Sequence, residues 1–179
     1  MQNENAYQTF IREFSNTICC LTDNKVYSHV LFLCVGTDRI TGDSFGPIVG
    51  HKLNKLYQDV RNIEVIGTLD HVVCDSNIEQ VQQSIQRNYQ NPFIIAIDSA
   101  LSTAENVGRI IVESRGIYLG SGLGKNRNCI GDMSIKGVVA RNLGNPKYNL
   151  KLLQNISLGF ILDMAELVTS GIYASIECE

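Results

Sequence analysis

The sequence lacks the features that mark several common functions. It has no run of basic residues: 15 Lys and Arg stand against 18 Asp and Glu, for a net charge of -3. A nucleic-acid or anionic-membrane binder would show a basic cluster instead, so neither partner is expected. Its six cysteines (Cys19, Cys20, Cys34, Cys74, Cys129 and Cys178) form no CxxC pair. Buried structural thiols in a reducing compartment explain them best, Cys34 lying mid-way along an apolar run. The opening residues, Met1-Gln2-Asn3-Glu4-Asn5, offer neither a basic nor an apolar export region, so a cytoplasmic protein is expected. Purely apolar runs are strand-sized, and Asp163 and Glu166 interrupt the C-terminal one, so no membrane span is expected. With 18% charged residues and no low-complexity tract, the chain also falls outside the disordered and fibrous classes.

What remains is a globular chain of 179 residues, 44% apolar, for which one domain is the expectation. Tyr7, Phe10, Ile11, Phe14 and Ile18 recur at helical spacing and predict an N-terminal helix within residues 1–25, packed on the rest. The first strand is expected from Val26 or His29 to Val35, and a helix from Pro47 to Tyr57. A strand at 63–67 and a helix at 77–89, capped by Ser76 or Asn77, come next. Phe93-Ile94-Ile95-Ala96-Ile97 reads as a parallel strand covered on both faces and ending at Asp98. Residues 108–119 read as two strands or a hairpin, 135–140 as another strand, and 150–171 as one closing helix. The order predicts an α/β sandwich on a mostly parallel sheet.

Chemistry in such folds gathers in loops beyond the carboxyl ends of the strands. Asp43 and Asp98 follow the two clearest parallel-type strands and could share one cleft. Two carboxylates that close share a proton, leaving one group as base and the other as acid. Strand-end aspartates are also common turn and cap residues, and pattern alone leaves both readings open, the turn being the commoner outcome. Asp38, Asp70 and Asp132 are assigned to turns.

Gly120-Ser121-Gly122-Leu123-Gly124-Lys125 fails the phosphate-loop pattern, since Leu119 stands at the first glycine and Asn126 follows the lysine. A glycine-lined wall for a substrate backbone and a plain turn are the two readings left, with Lys125 and Arg127 available to orient a carboxylate. His29, His51 and His71 are dispersed, and His71 with Cys74 makes at most a partial thiol or metal site. Ser44 and Ser99 flank the aspartates, but neither sits in a G-x-S-x-G elbow.

Four motifs in order carry a resemblance: Gly36-Thr37-Asp38-Arg39-Ile40-Thr41-Gly42-Asp43-Ser44-Phe45-Gly46-Pro47, Gly67-Thr68-Leu69-Asp70, Ile97-Asp98-Ser99-Ala100-Leu101, and Gly120 to Lys125 through Gly131-Asp132. Over residues 30–139 the chain resembles the YyaC-type sporulation proteins of spore-forming Firmicutes. These in turn resemble the spore germination protease and the endopeptidases that mature nickel-iron hydrogenases. The resemblance implies a three-layer α/β/α fold with a mostly parallel mixed sheet, of phosphorylase/hydrolase-like or hydrogenase-maturation-protease-like type. It also implies a sporulation-associated peptidase of the mother cell or forespore. Asp43 and Asp98 match the two catalytic aspartates of the germination protease, and Gly120, Ser121, Gly122, Gly124 and Lys125 match a segment expected to bind substrate. The hydrogenase-maturing enzymes bind nickel with the help of a later histidine, and no histidine follows His71 here, so no metal and no other cofactor is expected. A polypeptide, such as a spore protein, is the expected substrate or partner, and self-association is compatible with the sequence. Two alternatives share this fold: a catalytically silent peptide-binding or structural spore protein, and a metal-dependent hydrolase using both aspartates with His71.

Overall fold

A computed structural model describes residues 2–118 and 129–177. Five strands form the main sheet: β1 (Val30–Cys34), β2 (Ile63–Ile66), β3 (Phe93–Ser102), β4 (Ile110–Glu113) and β7 (Met133–Arg141). Their order is β2-β1-β3-β7-β4. All neighbours are parallel except β4, which runs antiparallel to β7 at one edge. The short strands β5 (Ile117–Tyr118) and β6 (Cys129–Ile130) pair with each other.

The strands alternate between two apolar clusters, which is why their sequences read as unbroken apolar runs. Phe32 and Cys34 of β1, with Phe93, Ile95 and Ile97 of β3, face one cluster. That cluster is completed by α1 (Gln2–Thr22), α2 (Phe45–Tyr57) and α5 (Leu158–Glu177). Leu31, Leu33 and Val35, with Ala96, face the other, which is closed by Ile78 and Ile85 of α3 (Ile78–Asn88) and by Ile117 and Ile130 of β5 and β6. The result is the expected three-layer sandwich, with one thick face and one thin face. On the thick face, Phe10 and Phe14 of α1 stack at 5.7 Å and reach the core beside Gly171 of α5. By length and composition α5 could cross a membrane. Here its Ile161, Ala165, Val168 and Ile172 are fully buried in the thick-face core.

Three expectations need correcting. The strand expected to stop before Asp98 continues to Ser102, because β7 pairs with it as far as Ser102 opposite Arg141. For residues 108–118 the two-strand alternative holds: β4 joins the main sheet beside β7, while β5 turns away to pair with β6. The closing helix is two, α4 (Pro146–Gln154) and α5, with Asn145 capping α4 through bonds from the Lys147 and Tyr148 amides. Finally, Asn77 precedes α3 without capping it. Its side chain instead accepts from the Cys74 amide at 2.9 Å and donates to the Val72 carbonyl at 2.9 Å, bracing the preceding loop.

Candidate active site

The loop that carries Asp43 is pressed onto the sheet by close backbone approaches. After β1, the Val35 amide bonds to the Ile97 carbonyl at 2.7 Å, and Gly36 turns the chain with φ at 142°. A Cβ on Gly36 would collide with the Asp43 carbonyl oxygen, so only glycine lets the loop close here. The Thr37 amide donates to that same oxygen at 3.1 Å, and a 3-10 turn (Thr41–Asp43) brings the chain to the start of α2. Gly46, in the first turn of α2, lies against the Val35 carbonyl, where a Cβ would not fit. Asp43 is thus held half-buried between the end of β1 and the start of α2.

Asp98 is held differently, within a strand. Side chains alternate along β3, so Asp98 falls on the face opposite Ile97, the thin one. Lys136 of β7 is its register partner on that face. Lys136 donates from Nζ to Oε2 of Glu113 at 2.7 Å, and Arg115 donates from Nε to the same oxygen at 3.0 Å.

Ser99 joins the two acids. Its hydroxyl donates to Oδ1 of Asp43 at 3.2 Å, and its amide donates to Oδ1 of Asp98 at 2.7 Å. Burial pushes the Asp43 carboxyl up to about 6, against the Ser99 hydroxyl and the Thr37 amide, which favour the charged form. Burial also raises Asp98 well above the carboxylate range, and the negative charge of Asp43 adds to it; the Ser99 amide and the Lys136 charge oppose this only in part. Both carboxyls are therefore held above their ordinary range, and the negative charge of Asp43 favours keeping a proton on Asp98. A neutral acid beside an ionised one is the arrangement that can take a proton from water and give one to a leaving group.

The other candidates disperse. Gly120, Ser121, Gly122, Gly124 and Lys125 lie outside the described residues. Asp132 is a turn acid, its Oδ2 accepting from the Ile94 amide at 2.9 Å. Asp70 pairs with His51 across 3.6 Å. His71 lines a groove of about 620 Å³ between α2, β2 and α3, together with Gly67, Thr68 and Asn77. Among the described residues no three His, Cys, Asp or Glu side chains gather as metal ligands, so His71 does not join the aspartates in such a cluster. The charged row of Lys136, Glu113 and Arg115 was not anticipated. Its one sequence signal is Lys136 itself, a lone charge inside an apolar run.

The folded chain is similar to the crystal structure of HycI, a [NiFe] hydrogenase maturation protease from Thermococcus kodakarensis KOD1. The two share a TM-score of 0.57 at 13% identity, over 88% of this chain and 97% of HycI. That likeness shows the fold: a peptidase-like α/β sandwich of the maturation-protease type. In sequence the chain is 34% identical over 143 residues to the uncharacterized protein YyaC of Bacillus subtilis (strain 168), covering 80% of this chain and 67% of YyaC. The model of the DUF1256 family, described as a protein of unknown function, matches residues 1–171. The chain therefore belongs to the DUF1256 family, which accords with the YyaC resemblance carried by its aspartate motifs.

Proposed function

We propose that the protein is a sporulation-associated peptidase of the cytoplasm that hydrolyses peptide bonds with Asp43 and Asp98. One observation carries this reading: Ser99 bonds to both acids, and burial raises both carboxyls above their ordinary value. Ionised Asp43 takes a proton from a water molecule as its oxygen bonds to the carbonyl carbon. Asp98 gives its proton to the leaving amine as the C–N bond breaks, and the proton gained by Asp43 returns to Asp98. Water is added across the peptide bond and the pair is restored. The expected substrate is a polypeptide of the spore-forming cell.

The test is cleavage of a defined mixture of synthetic peptides, read by mass spectrometry, with wild-type protein and the Asp43→Asn and Asp98→Asn variants. Wild type should generate new termini, and each variant should lose at least about 100-fold in rate, the scale of acid–base catalysis. Equal cleavage by all three, or none by the wild type, removes the reading and leaves the peptide-binding alternative in its place.

A further inference from the structure

Ser99 is the one described side chain whose bonds connect the two halves of the site. Asp43 arrives on a turn between β1 and α2, and Asp98 is fixed within β3, so the two carboxylates come from separate elements. The hydroxyl of Ser99 reaches across from β3 to the turn at 3.2 Å, while its amide holds the neighbouring carboxylate at 2.7 Å. Alternation along β3 places the Ser99 side chain on the thick face, toward the Asp43 turn, and the Asp98 side chain on the thin face. Ser99 is half-buried, so its hydroxyl is only partly available to solvent.

We infer that Ser99 is the positioning residue of the pair: its hydroxyl orients Asp43 as the base while its amide aims Asp98 as the acid. This rests on the two-aspartate reading, but it concerns a separate property. The hydroxyl has a single proton to donate and gives it to Oδ1 of Asp43, whose carboxylate the Thr37 amide also favours. Among the described residues the charged groups that bear on the pair are the two acids themselves and Lys136, whose ammonium is engaged by Glu113. Neither Lys136 nor Glu113 is bonded to Asp43, so among the described residues Ser99 is its side-chain hydrogen-bond donor.

The experiment is a carboxyl-carbon NMR titration of wild type, Ser99→Ala and Ser99→Thr, without substrate, beside peptide cleavage by the same three proteins. Alanine removes the donor to ionised Asp43, so the Asp43 midpoint should move up by roughly half to one pH unit, and threonine should restore it. Turnover by Ser99→Ala should fall about tenfold in kcat near neutral pH with KM unchanged, and threonine should recover it. An unmoved Asp43 midpoint in the alanine variant, or no recovery with threonine, overturns the positioning role. So does an acyl adduct trapped on Ser99, which would make the hydroxyl a nucleophile. Failure of all three proteins to cleave peptides would count against the peptidase reading alone, because the titration decides the role of Ser99 without a substrate.

Discussion

The two faces of the sheet are built to different standards. The thick face is covered by three helices and holds aromatic side chains in depth, with Phe14, Phe32, Phe45 and Phe93 all at 1% exposure or less. Among the described residues the thin face is covered by α3 and the small β5–β6 pair, and its cluster contains no phenylalanine. The charged residues within the sheet follow the same division. Asp98, Lys136 and Glu113 share the thin face, where their charge displaces little apolar packing. A residue that must stay accessible belongs on the poorly covered side, and the well-covered side supplies the rigidity that keeps it in place.

The largest effect should come from cutting into each side in turn. Phe14→Ala on the thick face should cost about 3 to 5 kcal/mol of unfolding free energy, and Ile85→Ala on the thin face about 2, by urea denaturation. Equal losses would mean that the two layers support the sheet alike.

Next in size is the dependence of stability on pH. Asp43 ionises at about 6 in the folded protein against 3.8 as an isolated group, so the folded state holds an extra proton between those values. Its contribution is fully present below 3.8 and is lost as pH rises through about 6. The raised Asp98 carries the decline to higher pH in the same direction. Asp43→Asn and Asp98→Asn should each flatten this slope and raise stability at neutral pH, whereas ordinary capping aspartates would lose about 1 kcal/mol on replacement.

The smallest effect belongs to the charged row. Glu113→Gln should cost about 1 kcal/mol or less, and the exposed Arg115→Ala less still. Releasing Lys136 from Glu113 should also draw the Asp98 carboxyl down, moving the alkaline limb of the cleavage profile to lower pH. A limb that does not move would separate Lys136 from the acid pair.

The parallel core was legible because two-sided burial writes an unmistakable run such as Phe93-Ile94-Ile95-Ala96-Ile97, and the start of α2 because Gly46-Pro47 suits a first turn. The end of β3 was not, since a strand continues past a polar residue wherever a neighbour supplies the ladder, and β7 lies about forty residues further on. Placing β4 beside β7 rather than β5 depended on that same long-range pairing. Asp43 and Asp98 could be named from their positions at the ends of apolar runs and from the family motifs. The part played by Ser99 could not, because it depends on which face each residue of β3 presents and on how far the Asp43 turn leans over the sheet.

That Asp98 lies within a strand limits the ways this protein can change over descent. The turn bearing Asp43 can gain or lose a residue at its outer edge and be refitted. A single insertion in β3 ahead of Asp98 would exchange the faces of everything beyond it, sending the acid into the aromatic side and Ser99 to the other. Lineages that keep the pair should therefore vary in length around residues 36–44, while the spacing from Phe93 to Ser99 stays fixed.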